Sequence, residues 1–331
     1  MQSDGTLLLR RSDVEKLLSL PECVEAVEKV FRLQGDGTIP PAGILGAKGN
    51  GGGLHVKAGF LPGQRNLLVA KLNTNFPNNR TGSGLPTIQG VIAVCDGDNG
   101  CPLALLDSID ITIKRTAAAT AVAAKYLARK ESAVATICGC GTQGYAQLRA
   151  LHLVRPLKKV YAFDLDETVV TNFASDLSNE LEIEIDPVRE ISNAIRKSDL
   201  IVTCTPSREF FVSKQEVNAG TFIAAVGADD AHKHEIDPAL MASAKVVADS
   251  VDQVCSIGDT HHAIAKHLMS REDIYAELSE IVAGHKAGRT NDAEVIIFDS
   301  TGIAIEDAIA AAAVYEKARA SGVGTYFKFA A

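Results

Sequence analysis

The sequence predicts an α/β protein: a Rossmann-type, doubly wound parallel sheet inserted in a discontinuous α+β domain. From Ser132 onward, short apolar runs alternate with amphipathic helical stretches, which is typical of a parallel sheet. Between residues 41 and 102, short runs are separated by Gly, Pro and Asn, as in an antiparallel sheet or meander. The C-terminal stretch "AIEDAIAAAAVYEKARASG" is long and apolar on one face. We expect this last helix to pack on the N-terminal domain, which makes that domain discontinuous.

The bulk composition excludes several classes of protein. The chain has 331 residues, enough for two domains, and its net charge of −8 argues against nucleic acid or a membrane surface as a partner. The 7 cysteines have no zinc-ribbon spacing, so buried free thiols in a reducing compartment are the simplest interpretation. No apolar run approaches the length of a membrane span, and "MQSDGTLLLRRSDVE" lacks the apolar centre of a signal peptide. We therefore expect a cytoplasmic protein.

Two helices are predicted near the N-terminus. Ser12 and Glu15 have the spacing of a capping box, which predicts that the first helix begins there. Apolar residues recur at helical spacing from Val24 to Phe31 and carry the second helix to about Leu33, where "QGDGTIPP" ends it.

Strands and one long helix follow. The antiparallel region contains the runs "GGGLHVKAGF", "NLLVAKLNTNF", "TIQGVIAVCD" and "CPLALLD". The alanine-rich segment from Ile113 to Lys130 has no helix breaker, so we expect one helix there. Six strands of the parallel sheet are then predicted at "AVATIC", "KVYAFDLD", "EIEIDPV", "DLIVTCT", "TFIAAVG" and "AKVVADS".

A glycine motif lies directly after the first of these six strands. The stretch "ATICGCGTQGYAQ" has the pattern G-x-G-x-x-G at Gly139, Gly141 and Gly144, between a strand and a helix. In that context the first glycine permits a tight turn, the second lets the backbone approach a pyrophosphate, and the third lets the helix pack close to the strand. The N–H groups that begin the helix then face the phosphates. The motif predicts a dinucleotide site.

Asp164 indicates which dinucleotide is bound. It follows Gly144 by twenty residues, at the end of the second strand of the parallel sheet. A carboxylate there accepts hydrogen bonds from ribose hydroxyls and repels a 2′-phosphate. The sequence therefore favours NAD, with NADP as the alternative.

Five stretches of the chain resemble the ornithine cyclodeaminase/μ-crystallin family, in the family's order. They are "IKRTAAATAVAAKYLAR", "GCGTQGYAQL", "AVGADDAHKHEID", "AELSEIVAGHKAGR" and "IIFDSTGIAIEDAIAA". The resemblance implies a homodimer whose substrate-binding and dimerisation domain comprises residues 1–114 and 305–331, around an NAD(P)-binding domain at 115–304. It also implies a nicotinamide-dependent reaction at the C–N bond of a small amino acid, or of the corresponding imine or 2-oxo acid.

The resemblance assigns roles to individual residues. Lys71 matches a substrate-binding lysine and Asp229 an aspartate near the substrate amine, so both are expected to be catalytic, with Asp229 as the acid or base. Arg115 matches an arginine that meets the substrate carboxylate and the cofactor. The cofactor-contacting set is expected to be Arg115, Thr116, Gly139, Gly141, Thr142, Gln143, Gly144, Asp164, Thr205, Val226, Gly227, Lys233, Ser300, Thr301 and Gly302.

Two departures from the family pattern bear on the reaction. Cyclodeaminases have a glutamate near the end of the second sheet strand, where "LHVKAGF" offers His55 and Lys57. The family's early arginine is absent from "PPAGIL". These differences favour an imine reductase or an alanine-dehydrogenase-like enzyme whose substrate is bound by Lys57, Lys71, Arg115 and His55. The alternatives are a cyclodeaminase of ornithine or a related diamino acid with tightly held NAD, and a binding protein without catalysis.

The polar stretch "VGADDAHKHEID" has the residue types of a metal site but not the spacing. His232 and His234 are two residues apart, and no H-E-x-x-H or cysteine pair accompanies them. We therefore expect no metal. Glu306 and Asp307, near the start of the last helix, fit favourable N-terminal charges as well as a catalytic role.

Overall fold

The computed structural model of the chain describes residues 5–329, apart from the side chains of residues 80 and 81. The chain divides into two compact units. Residues up to Arg115 and from Ile303 onward form the first unit, and Thr116–Gly302 forms the second. No helix within residues 5–329 is long and apolar enough to cross a membrane.

The helices and strands follow one another along the chain in this order. They are β1 (Thr6–Leu9), α1 (Arg11–Leu17), α2 (Leu20–Gly35), β2 (Gly43–Gly49), β3 (Gly52–Leu61), β4 (Leu67–Asn75), α3 (Asn79–Gly82), β5 (Ile88–Asp96), β6 (Pro102–Asp107), α4 (Ile109–Leu127), β7 (Val134–Cys138), α5 (Thr142–Val154), β8 (Lys159–Phe163), α6 (Glu167–Leu181), β9 (Glu184–Pro187), α7 (Ile191–Ile195), β10 (Leu200–Thr203), a 3₁₀ turn (Lys214–Glu216), β11 (Phe222–Ala225), α8 (Pro238–Met241), β12 (Lys245–Ala248), α9 (Val251–Ile257), α10 (Asp259–Ala265), a 3₁₀ turn (Arg271–Asp273), β13 (Ala276–Glu277), α11 (Leu278–Val282), β14 (Ile296–Asp299), α12 (Ala304–Ser321) and β15 (Thr325–Phe327).

The first unit is built on a seven-stranded mixed sheet in the order β15-β1-β6-β5-β4-β3-β2. All neighbouring strands are antiparallel except β1 and β6, so the predicted antiparallel region is confirmed. The helix α12 packs against β3, β4 and α2. The close approach occurs at Gly59, where an added Cβ would lie 3.7 Å from the Cβ of Ala304. The last helix therefore covers this sheet, as its apolar face predicts.

The strand β4 has one buried and one open face. Leu67, Val69 and Lys71 are buried, whereas Leu68 and Leu72 are exposed, because side chains alternate along a strand. We call the side of the sheet that carries Lys71 and packs on α12 the inner face, and the opposite side the outer face. The outer face is apolar.

The second unit is built on an eight-stranded parallel sheet in the order β13-β12-β14-β11-β10-β7-β8-β9. The chain passes from β7 outward through β8 to β9, and then returns to the other side of β7 at β10. This doubly wound arrangement confirms the predicted fold class. Parallel sheets of this kind bind ligands beyond the carboxyl ends of the strands, where the winding reverses.

Several boundaries differ from the sequence predictions. Helix α1 begins at Arg11, so Ser12 lies within it, and the capping carboxylate is Asp13, which accepts the Arg10 N–H at 3.2 Å. Helix α2 continues to Gly35 rather than Leu33.

The long helix α4 also begins and ends earlier than predicted. Asp107 accepts the Ile109 N–H at 3.0 Å, which begins the helix four residues before Ile113. At its other end, the guanidinium of Arg155 donates to the carbonyls of Ala124 and Lys125, a cap from a residue distant in sequence.

Candidate active site

A buried cluster of four charged side chains lies in the first unit. Lys71 comes from β4, Arg115 from α4, and Glu306 and Asp307 from the first turn of α12. Lys71 Nζ lies 2.6 Å from Asp307 Oδ2, Arg115 Nε lies 3.0 Å from Asp307 Oδ1, and Arg115 Nη1 lies 2.7 Å from Glu306 Oε2. None of the four residues is more than 6% exposed. We call these four residues the buried charge cluster.

The cluster perturbs the pKa of two of its members. Burial disfavours the charged form and lowers the pKa of Lys71 to about 8. The negative charge of Asp307 raises this pKa, whereas the positive charges of Arg115 and Lys57 lower it further. Burial by itself raises the pKa of Asp307, but Arg115 and Lys71 outweigh it and hold that pKa below its ordinary value. The cluster therefore holds Asp307 ionised and gives Lys71 a titration close to neutral pH.

The other two predicted substrate residues come from β3. Lys57 is half-buried and is paired in register with Lys71, and His55 is exposed and paired with Asn73. The two lysines thus stand side by side on neighbouring strands. Glu306 and Asp307 lie in the first turn of α12, as expected, and they are also buried partners of Arg115 and Lys71.

The glycine loop of the second unit has the shape that phosphate binding requires. Gly139 has a positive φ of +99°, and an added Cβ at Gly144 would lie 2.2 Å from the carbonyl oxygen of Gly139. At Gly141 an added Cβ would meet no atom within 4 Å. Gly141 is also the residue before α5 and provides no side-chain cap, so the space in front of the helix N-terminus is open. These residues fit a dinucleotide pyrophosphate, which such a helix end attracts through its N–H groups.

Asp164 lies at the end of β8 and fastens the glycine loop. Its Oδ2 accepts the N–H of Cys140 at 2.8 Å, and its Oδ1 accepts the N–H of Asp166 at 3.1 Å. It also lines a cavity of about 450 Å³ together with Val170 and Pro187. Each oxygen of a carboxylate accepts more than one hydrogen bond, so both remain chemically able to bind ribose hydroxyls.

Glu235 is a central residue of the second unit to which the sequence had assigned no role. Its buried carboxylate accepts hydrogen bonds from Thr203 Oγ1 at 2.8 Å, from the N–H and Oγ1 of Thr205 at 2.7 Å each, and from the Gly227 N–H at 3.0 Å. An added Cβ at Gly227 would lie 2.4 Å from Glu235 Oε2. Burial raises the pKa of Glu235 in spite of these donors. Glu235 thus fixes the chain after β10 and β11, where Thr205, the half-buried Val226 and Gly227 lie.

Asp249 fixes the predicted cofactor loop at residues 300–302, as Glu235 fixes the chain after β10 and β11. It follows β12 and accepts from Ser300 Oγ at 3.1 Å, the Thr301 N–H at 2.7 Å and the Gly302 N–H at 2.6 Å. Buried acids at strand ends leave no periodic pattern in a sequence. Asp249 directly follows the apolar run "AKVVA", whereas Glu235 lies within the polar stretch "VGADDAHKHEID", where nothing distinguishes it from its acidic neighbours.

The loop after β11 carries an exposed acid, Asp229, and a buried histidine, His234. Asp229 is exposed and forms an ion pair with Lys233, whose Nζ lies 2.5 Å from Asp229 Oδ1. His234 is stacked on His262 with ring centroids 3.8 Å apart, and burial lowers the pKa of His234 to about 4. Within residues 5–329, no group of three or more His, Cys, Asp or Glu residues is arranged to hold a metal ion.

The predicted site residues therefore fall into two sets. His55, Lys57, Lys71 and Arg115 belong to the first unit, with Arg115 as its last residue before Thr116. Thr142 and Gln143 form the first turn of α5, beside the glycines, and the remaining predicted cofactor residues also belong to the second unit.

Comparison with known proteins is consistent across the whole chain. Residues 5–322 match the ornithine cyclodeaminase/mu-crystallin family. The alanine dehydrogenase of Archaeoglobus fulgidus is 38% identical over 327 residues, which cover 98% of each chain.

Two solved structures are similar over nearly their full length. One is the Δ1-pyrroline-2-carboxylate reductase of Thermococcus litoralis in complex with NADH and L-proline, with 38% identity and a TM-score of 0.92, covering 97% of this chain and 100% of that one. The other is an archaeal alanine dehydrogenase dimer with bound NAD, with 38% identity and a TM-score of 0.93, covering 98% and 100%.

Proposed function

Because the chain belongs to the ornithine cyclodeaminase/mu-crystallin family, as its sequence predicted, we propose that it is an NAD-dependent oxidoreductase acting on a small amino acid or its imine. The reaction is transfer of a hydride between the nicotinamide and the α-carbon. The observation that carries this proposal is the buried charge cluster, which provides Lys71 and Arg115 in fixed positions on the inner face. Cations held in this way are suited to binding a carboxylate in one orientation.

The charge of the inner face indicates the class of substrate. Lys57, Lys71 and Arg115 are three cationic side chains that meet at this face. Cations in fixed positions bind a carboxylate well, so the arrangement favours a substrate that carries a carboxylate, such as alanine and pyruvate or a cyclic 2-imino acid.

The glycine loop and Asp164 support NAD as the cofactor. Gly141 leaves room for the pyrophosphate, the N-terminus of α5 faces it, and the Asp164 carboxylate disfavours the 2′-phosphate of NADP. When bound, the nicotinamide supplies or accepts the hydride. The similar proteins of known structure include one with NADH and one with NAD.

The side chains of the protein have the remaining tasks. Arg115 and Lys71 orient the substrate carboxylate, since hydride transfer depends above all on the position of the reacting carbon. Asp229 gives a proton to the product amine or takes one from the reacting amine, and Lys233 holds the Asp229 carboxylate by an ion pair. Glu235 fixes the strand ends that face the nicotinamide.

The alternative of a cyclodeaminase receives less support from the site. Such an enzyme oxidises the α-amine, releases ammonia, and reduces the cyclic imine with the same cofactor, so it must also recognise a distal ammonium. Lys57 stands opposite Lys71 at the place where cyclodeaminases have a glutamate, and a lysine repels an ammonium. A reductase or dehydrogenase with net turnover of the cofactor fits this arrangement better.

We also propose that the chain forms a homodimer through the outer face of the first unit. Leu45, Leu68 and Leu72 are exposed on this sheet by 64%, 46% and 40%. A cavity of about 300 Å³ on the same sheet is lined by Phe60, Ala70 and other apolar residues. An apolar sheet face of this kind is typical of a surface that another protein covers. The similar alanine dehydrogenase is a dimer.

The proposed function is tested by following NADH at 340 nm. Oxidation of NADH with pyruvate and ammonium would indicate an alanine dehydrogenase, and oxidation with Δ1-pyrroline-2-carboxylate or Δ1-piperideine-2-carboxylate would indicate an imine reductase. Ammonia release from ornithine with catalytic NAD and no net absorbance change would indicate a cyclodeaminase. If the protein binds NADH but is inactive in every assay, the proposal is wrong and a binding protein is favoured.

A further inference from the structure

Asp307 connects the two cations of the buried charge cluster. One carboxylate oxygen contacts Lys71 from β4 and the other contacts Arg115 from α4. The residue itself belongs to α12 and is only 1% exposed. Three elements that are far apart in the sequence therefore meet at a single carboxylate.

The adjacent carboxylate has a different task. Glu306 contacts Arg115 at Nη1, the outer part of the guanidinium, and is fully buried. Arg115 is thus held at two points, by Glu306 and by Asp307. Lys71, in contrast, forms an ion pair with Asp307.

We propose that Asp307 is a positioning residue, which holds the Lys71 ammonium and the Arg115 guanidinium in orientation and keeps Lys71 protonated when substrate binds. This proposal rests on the proposed function, in which Lys71 is a substrate anchor. Asp307 itself acts through the two cations and has no contact with the reacting atoms.

The charged groups that face Lys71 explain why it needs this partner. Burial lowers the pKa of Lys71 most, and the positive charges of Arg115 on α4 and Lys57 on the neighbouring strand lower it further, so all three favour the neutral amine. Asp307 on α12 opposes them by its negative charge, through the ion pair with Lys71. A protonated lysine donates three hydrogen bonds and carries the charge that attracts a carboxylate, whereas a neutral one loses that charge.

The test measures the titration of Lys71 directly, by NMR of the full chain labelled with ¹³Cε-lysine. The Lys71 resonance is assigned by its absence from the Lys71→Arg variant. In the unmodified protein we expect a midpoint of about 8. In Asp307→Asn the midpoint should fall by about 1–3 pH units, because an opposite charge in contact has been removed. Asp307→Ser provides the same test if the asparagine variant does not fold.

Glu306→Gln is the matched control, since it also removes one buried negative charge from the same turn of α12. It breaks the contact with Arg115 but leaves the Lys71–Asp307 pair intact, so the Lys71 midpoint should move less than in Asp307→Asn. An unchanged or higher midpoint in a folded Asp307 variant would overturn the proposal. The titration needs no turnover, so it stands apart from failure of the proposed function.

Discussion

Replacement of Gly141 by alanine should separate stability from cofactor binding. Gly141 has φ −78° and ψ −165°, which is extended backbone that alanine adopts without strain. An added Cβ meets no atom of the protein within 4 Å, so the folded chain has room for it. In the proposed complex, however, that space is where the backbone approaches the pyrophosphate.

The two effects on stability of the Gly141→Ala chain nearly cancel. Alanine reduces the freedom of the unfolded chain, which stabilises by about 0.4–1 kcal/mol. As a helix N-cap, alanine is worse than glycine by roughly 0.5–1 kcal/mol. We therefore expect a change in melting temperature of no more than about 2 °C. The added methyl should weaken NADH binding at least about tenfold, or about 1.4 kcal/mol.

The assay is a titration of NADH fluorescence combined with thermal unfolding of each variant. Gly144→Ala should lose both stability and binding, because its Cβ would lie 2.2 Å from the carbonyl oxygen of Gly139. Gly82→Ala in the first unit, where an added Cβ also meets no atom within 4 Å, should change neither. A Gly141→Ala protein that binds NADH as tightly as the unmodified chain would refute the position assigned to the pyrophosphate.

Three further predictions concern Asp229, Asp299 and Leu72. Asp229→Asn should keep NADH binding but lower turnover by about 10²–10⁴, as loss of an acid or base does, and full turnover would remove Asp229 from the mechanism. Burial raises the pKa of Asp299 from 3.8 to about 7, so the folded chain binds more protons than the unfolded chain in that window. Asp299 therefore makes the free energy of unfolding fall as pH rises through this window. In urea unfolding at acid and at neutral pH, Asp299→Asn should reduce that fall by up to about 4 kcal/mol. An equal fall in both proteins would contradict the raised pKa of Asp299. Leu72→Lys, which places a charge on the apolar outer face, should give monomers in light scattering, and a mass equal to that of an unmodified dimer would exclude this face as the interface.

The fold was accessible from the sequence because its signals are local. Alternating apolar runs and helical stretches predict a parallel sheet, and the glycines at 139, 141 and 144 mark the turn after β7. The strands β13 and β14 were not predicted as sheet strands. The strand β13 has only 2 residues, too few for a period to be measured. The strand β14 is as long as the predicted β10, β11 and β12, and its run "IIFD" was noted only as part of the resemblance to the family.

The candidate site was less accessible because its contacts join distant parts of the chain. Lys71 and Arg115 came from the resemblance to a family, but nothing in "AIEDAIAA" indicates that Asp307 contacts both. An acid in the first turn of a helix is normally explained by the helix dipole. Only the packing of α12 on β3 and β4 shows that this turn faces the core.

The discontinuity of the first unit also gives its assembly an order in time. During synthesis the inserted segment, Thr116–Gly302, leaves the ribosome as one uninterrupted piece and can fold as a domain. The first unit cannot fold completely until the end of the chain has been made, because β1 pairs with β15 and α12 packs on the sheet. Until α12 is made, the nascent chain carries Lys71 and Arg115 without Glu306 and Asp307. A ribosome that stops before the final helix therefore releases a chain with a complete second unit and an unfinished first unit.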